Sequence, residues 1–338
     1  MKIIGLELTS ICNRYCRHCN RNRADPLGFL PLKTAAAILS QARLLGFQAV
    51  ALTGGEVALY PHLGDLLHFI AGQGFRFTLV TNGYEFPERV LPQFLQPRVK
   101  ELAASICFSL DGAKAATHDG LRGPKSFWEV LQALLLCREH GLPASLKSVV
   151  TVLNQGELAE LARLGAELGV SEHDFLFPFP TPRLIREGLL PSYQELSATM
   201  RWIAGDLAPT ARNKVNLEGF SWGGVIPNCR QLVDALHVDY LGNLIFCCNL
   251  SHVTLGDGIP TPSGRELLAD LKEVSLRTGI IRQFRQAAEL MEDMLKDNGT
   301  RGGLSETPCL RCLKYFGKLE WLKDFPDSPW TARVWGPD

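Results

Sequence analysis

The sequence predicts an α/β fold with a parallel sheet, followed by a smaller unit built around cysteines. Three observations predict it. Short β-rich apolar runs alternate with helical patterns to about residue 208, that rhythm stops beyond residue 210, and most of the 10 cysteines fall in clusters. A βα order repeated six times implies right-handed crossovers and gathers the loops after the strands on one face.

The strands are expected at residues 2–8, 49–53, 76–81, 104–110, 145–153 and 174–179. Each is a short run rich in β-branched or aromatic residues bounded by turn formers. The intervening helices are expected at 34–45, 62–72, 86–95, 127–140, 157–168 and 192–207. Leu63, Leu66, Leu67 and Ile70 recur at i, i+3, i+4 and i+7, as do Phe127, Val130, Leu131 and Leu134, so each helix has one apolar stripe. Beyond residue 210, Ser221-Trp222-Gly223-Gly224 reads as a loop and 235–248 as two strands around Tyr240-Leu241-Gly242-Asn243. A helix is expected from about 266 to 296, then a loop at Asn298-Gly299 and Gly302-Gly303 before Cys309 and Cys312. The expected division is therefore 1–210 and 211–338.

Composition bounds the function. An apolar fraction of 46% supports a sizeable core, and 35 basic against 35 acidic residues leave no electrostatic footprint for nucleic acid. No apolar run nears the roughly 18 residues that span a bilayer. The first residues read as a buried strand rather than a signal peptide, so a cytoplasmic protein is expected, with clustered cysteines serving as metal ligands rather than disulfides.

The first predicted strand leads into Cys12, Cys16 and Cys19 at CxxxCxxC spacing. A [4Fe–4S] cluster has four irons, each needing a terminal ligand. Three thiolates leave one corner open, where chemistry can be done, whereas a structural zinc usually takes four protein ligands. His18 could complete a zinc set, but its place between two ligands makes simultaneous coordination awkward. Later strand ends carry Gly54-Gly55-Glu56, then Thr81-Asn82-Gly83, then Ser109-Leu110-Asp111-Gly112 followed by His118-Asp119 and Leu121-Arg122-Gly123. Paired glycines permit close backbone approach, and a carboxylate accepts from an ammonium group. Each triplet alone is compatible with a turn or cap; their recurrence at successive strand ends marks a site.

With these motifs the chain resembles the radical S-adenosylmethionine (SAM) enzymes. The resemblance implies a partial (β/α)6 TIM barrel followed by a small Twitch-like auxiliary iron–sulfur domain. It implies that Cys12, Cys16 and Cys19 hold the SAM-binding [4Fe–4S] cluster and that Gly54, Gly55 and Glu56 meet the SAM ammonium group. Thr81, Asn82 and Ser109 would lie near the cofactor, with Arg122 a candidate for its carboxylate. The implied reaction is one-electron cleavage of SAM, fed by an external reductant such as flavodoxin or ferredoxin, giving a 5′-deoxyadenosyl radical that takes a hydrogen atom from substrate.

Twelve residues separate Cys229 from Gly242 and four more precede Cys247, with Cys309 and Cys312 forming a distant CxxC. This is similar to the auxiliary-cluster domains called SPASM and Twitch. The absence of cysteines after Cys312 favours the shorter Twitch form with one [4Fe–4S] cluster. A four-cysteine zinc ribbon has compatible spacing, and a shift of one residue would admit Cys248 in place of Cys247. Cys107 and Cys137 read as small core residues. A fully ligated second cluster suits electron transfer, so the resemblance implies an oxidation, with dehydrogenation of a secondary alcohol on a small-molecule sugar or aminocyclitol expected. The alternatives are a ribosomal-peptide maturase and, outside enzymes, a zinc-binding scaffold. Lys147 and Arg183 are the candidate catalytic or anchoring residues at the barrel mouth.

Overall fold

A computed structural model describes residues 2–21, 27–221, 229–251, 264–296 and 304–336. The loops expected at Trp222-Gly223-Gly224, Asn298-Gly299 and Gly302-Gly303 lie outside those residues. The six expected strands form: β1 (Ile3–Glu7), β2 (Ala49–Thr53), β3 (Arg76–Thr81), β4 (Ala103–Ser109), β5 (Ala144–Val149) and β6 (Glu172–Leu176). They pair in parallel in chain order. Helices at Leu32–Leu44, Leu63–Gly72, Ser126–Glu139 and Leu158–Glu167 make the crossovers. Leu63, Leu66, Leu67 and Ile70 are all buried, so the stripe read from the 3.6-residue period is the packed face. The strand expected to run to residue 153 ends at Val149. The side chain of Asn154 turns the chain there, donating to the carbonyls of Asp111 (2.7 Å) and Val149 (2.8 Å) and accepting from the Thr151 N–H (2.7 Å).

The same sheet continues past residue 210 on both sides. A seventh strand that the sequence reading lacked, β7 (Lys214–Glu218), joins parallel to β6. On the other edge β8 (Ala235–Val238) lies parallel to β1, and β9 (Asn243–Ile245) returns antiparallel as the expected hairpin. Asp239 shapes its turn, its carboxylate accepting from the N–H groups of Leu241 (2.9 Å) and Asn243 (2.8 Å). The helix expected from residue 266 is corrected: Leu267–Asp270 is a tenth strand, β10, antiparallel to β9, and the helix is Leu276–Lys296. Among the described residues the order is β10-β9-β8-β1-β2-β3-β4-β5-β6-β7, a mixed α/β fold with a parallel centre. No helix of the described residues is long and apolar enough to cross a membrane.

Alternation within the strands separates two faces. Phe77, Leu79 and Thr81 are buried beneath helices, whereas Thr78 and Val80 on the opposite face of β3 are half-buried. At the upper ends of β2 to β6 the second face presents Thr53, Val80, Ser109, Val149 and Leu176, all of which line one cavity of about 400 Å³.

Candidate active site

Cys12, Cys16 and Cys19 lie on the wall of this cavity, on the loop that leaves β1. Arginines fasten that loop to the barrel. Arg14 is buried, paired with Glu129 and donating to the Pro124 carbonyl (3.3 Å). Arg17 donates to Glu187 (2.5 Å) and to the Gly120 carbonyl (3.2 Å). Burial pushes the Cys12 thiol up to about 11, so the free thiol is neutral near pH 7 and coordination to a metal must release its proton.

The glycines let two loops touch. The Gly55 N–H donates to the Thr9 carbonyl (2.7 Å) and the Glu56 N–H to the Ile11 carbonyl (2.8 Å). A Cβ on Gly55 would fall 2.0 Å from the Ile11 oxygen. Only glycine fits this crossing of the loop after β2 over the cysteine loop. Glu56 is buried and its carboxylate is a brace: it accepts from the Ala58 N–H (3.0 Å), the Thr81 hydroxyl (2.6 Å) and the Asn82 N–H (2.7 Å). Burial raises its carboxyl while these hydrogen bonds oppose the rise. The Asn82 amide in turn donates to Asn13 (2.9 Å) and lies 3.9 Å from the Cys12 sulfur.

Arg122 brings the fourth strand end into the same place. Its guanidinium pairs with buried Asp111 and lies 3.9 Å from the Cys16 sulfur. Although burial favours the neutral acid, Arg122, His18 and His118 hold the Asp111 carboxyl down at about 2. His18, a cavity residue, has its Nε2 3.4 Å from Asp111 and its buried Nδ1 without a hydrogen-bond partner among the described residues. Burial lowers His18 to about 4, so it is a neutral imidazole. Gly54, Gly55, Glu56, Thr81, Asn82, Ser109 and Arg122 all line the cavity. Lys147 and Arg183 do not. Lys147 is held between Glu218 and Asp174 (3.1 Å), which raise it against the effect of burial, and Arg183 pairs with Glu187 (2.7 Å).

The second cysteine set lies behind the cavity lining, next to Asn249. Asn249 lines the cavity and its Nδ2 lies 4.0 Å from the Cys309 sulfur. Cys309 is raised by burial and by its neighbours Cys312 and Cys229, and burial pushes Cys312 up to about 12. Cys247 and Cys248 share a hydrogen bond that raises Cys247, which also senses Cys309. The donors in both sets are thiols, the ligand type of iron–sulfur clusters. Among the described residues no group of three or more Cys, His, Asp or Glu side chains is gathered as it would be around a single bound metal ion.

Residues 6–165 match the model of the radical SAM superfamily. Through that stretch the chain belongs to the radical SAM superfamily. The cofactors of this family are a [4Fe–4S] cluster and SAM. The chain is 29% identical over 185 residues to an AdoMet-dependent heme synthase of Methanosarcina barkeri, covering 54% of this chain and 52% of the relative. It is 26% identical over 175 residues to the antilisterial bacteriocin subtilosin biosynthesis protein AlbA of Bacillus subtilis, covering 50% and 38%. The chain thus spans about half the length, or less, of these curated relatives. Its fold is shared with native anSMEcpe bearing AdoMet and the Cp18Cys peptide, at a TM-score of 0.65 and 14% identity, covering 86% of this chain and 84% of that one.

The strand-end motifs expected to surround the cofactor therefore do converge on one cavity. Asp111 and Asn249 were missed as site residues. Asp111 lies inside the strand-end motif Ser109-Leu110-Asp111-Gly112, and its pairing depends on Arg122 folding back from the next helix. Asn249 had no signal beyond its place beside the cysteines.

Proposed function

We propose that the chain is an oxidative radical SAM enzyme with two clusters. Residues 1–210 hold one on Cys12, Cys16 and Cys19, and residues 211–338 hold an auxiliary one on Cys229, Cys247, Cys309 and Cys312. The observation that carries this reading is that Cys12, Cys16 and Cys19 line the cavity whose lining also includes Asn249, itself 4.0 Å from the Cys309 sulfur. When bound, the first cluster with SAM supplies a 5′-deoxyadenosyl radical for hydrogen-atom abstraction, and the second supplies a one-electron acceptor.

The chain's own residues bind, orient and exclude water. Gly54 and Gly55 clear the approach beside the cysteine loop, while Glu56 fixes Thr81 and Asn82 at the rim. Ser109 and the Asn82 amide offer hydrogen bonds to the polar groups of SAM, and Arg122 offers positive charge to its carboxylate. Phe177, Phe179 and Leu176 make an apolar wall that keeps water from a reactive carbon. Lys147 and Arg183 serve as ion-paired supports of the barrel mouth, since a lysine raised by two carboxylates is a poor proton acceptor.

A peptide is the substrate class we favour, because AlbA is named for bacteriocin biosynthesis. The sugar or aminocyclitol substrate expected from the cysteine count finds no support in the relatives described above. The enzyme would work in the cytoplasm with an external reductant such as flavodoxin or ferredoxin. Anaerobically reconstituted protein should carry about eight irons and eight sulfides per chain, from two [4Fe–4S] clusters. With reductant and SAM it should release 5′-deoxyadenosine, and a peptide substrate should lose two hydrogens in mass. Zinc without iron or sulfide would end the two-cluster reading, and two hydrogens lost from a sugar instead would overturn the substrate class.

A further inference from the structure

One buried network ties the two cysteine loops together. Glu7 closes β1, five residues before Cys12, and is buried. One of its carboxylate oxygens accepts from His237 Nε2 (3.1 Å), and the other accepts from the Ser251 hydroxyl (3.0 Å) and faces Arg21 (3.6 Å). Arg21 follows Cys19 by two residues. Ser251 follows Cys247 by four, and its N–H donates to the Cys248 carbonyl (3.3 Å). His237 is buried on β8, its ring so close over β1 that a Cβ on Gly5 would fall 2.9 Å from its Nδ1. It is near enough to Cys248 for its charge to act on that thiol. A single carboxylate thus receives the loop after the first cysteine set, the loop after Cys247 and the ring between them.

We propose that the Glu7–His237 pair positions the auxiliary cysteine loop against the SAM-cluster loop and sets the reduction potential of the auxiliary cluster. The inference rests on the two-cluster reading above. Net charge near a cluster is one of the levers on its potential, because reduction adds negative charge that a nearby cation stabilises and a nearby anion opposes. His237 beside Glu7 supplies that cation, burial opposing its charge and the carboxylate upholding it.

Removing His237 leaves the Glu7 carboxylate less compensated, and removing Glu7 leaves the always-charged Arg21 guanidinium without that carboxylate, so the two changes move the potential in opposite directions. In full-length protein with Cys12, Cys16 and Cys19 all replaced by Ala, only the auxiliary cluster remains. About four irons and four sulfides per chain in that background test the two-cluster reading itself; their absence overturns that reading. Given the cluster, its midpoint is measured by redox titration followed by EPR. His237→Gln should lower the midpoint and Glu7→Gln should raise it, each by several-fold in the reduction equilibrium, a tenfold change being about 59 mV for one electron. Ser251→Ala, which removes a hydrogen bond but no charge, should leave it within twofold. Loosened packing alone would not give shifts of opposite sign. Shifts of the same sign, or midpoints of both charge variants within twofold of the parent, overturn the proposal. If His237→Gln fails to retain the cluster, Glu7→Gln decides: a midpoint that does not rise overturns it.

Discussion

Replacing Gly55 by alanine tests the crossing of loops on which the site depends. The new Cβ would sit 2.0 Å from the Ile11 oxygen, where real contacts essentially never fall under 3.0 Å, so the loops must part by about 1.0 Å (3.0 − 2.0). The Ile11 oxygen is backbone and the Cβ position is fixed by the backbone, so no rotamer change relieves the contact. Parting the loops stretches the Gly55-to-Thr9 and Glu56-to-Ile11 hydrogen bonds, worth about 1 kcal/mol each. Overpacking strain adds about 1–3 kcal/mol, for a total of about 3–5 kcal/mol. At about 2.1 cal/mol/K per residue, a loss of about 3 kcal/mol lowers the Tm of a chain of this length by about 4 °C. Calorimetry gives the shift, and iron bound after anaerobic reconstitution reports the cysteine loop. Gly156→Ala, with nothing within 4 Å of the added carbon, is the control and should behave as the parent. A Gly55→Ala protein with parental Tm and parental iron content would refute the reasoning.

Two further outcomes follow from the buried polar groups. His118 and His173 are fully buried and are lowered by burial to about 3 and about 4, so they are neutral in the fold but titrate near 6.5 when unfolded. Their contribution is complete above pH 6.5 and is lost as pH falls from there towards the folded values, with about 1.4 kcal/mol per pH unit for each as the limiting slope. Urea denaturation at pH 7.5 and 5.5 should differ by about 2–3 kcal/mol from these two groups, and a His173→Asn variant should show a shallower dependence; an equal slope would reject it. His237, raised by Glu7, acts in the opposite sense: its contribution is complete below pH 6.5 and declines as pH rises above it, so it offsets part of the change from the two neutral rings. Glu129→Gln should cost about 1–2 kcal/mol, because it leaves the buried Arg14 guanidinium without its carboxylate at a partly exposed pair. Its iron at Cys12, Cys16 and Cys19 should be lost faster to a chelator than in the parent, and equal rates would refute the anchoring role of Arg14.

Strand and helix order up to residue 208 was legible because each element carries its own period and its own stop signal. β7 was missed although Lys214-Val215-Asn216-Leu217-Glu218 alternates strictly; charged residues at both ends hid a short edge strand. β10 was read as the start of a helix because Leu267, Leu268 and Leu271 suit either period, and pairing with β9 decides between them. The cysteine spacing and the strand-end motifs located the cavity. What they could not reveal were contacts between residues far apart in sequence: Lys147 sits in a carboxylate clamp because Glu218 arrives on the strand that was not foreseen, and Glu7 meets His237 only because β8 returns to β1.

That return also governs how the protein is made. Ile3 pairs with Ala235, so one edge of the first strand has no neighbour until 232 more residues have been added (235 − 3). At about 5–20 residues per second, synthesis leaves that edge open for tens of seconds. An unpaired apolar strand edge is a template for association with other chains, so the nascent protein is at its most vulnerable while its own barrel is nearly complete. A fragment cut at residue 210 would keep that edge open permanently, and for the ribosome the two halves are a single folding problem.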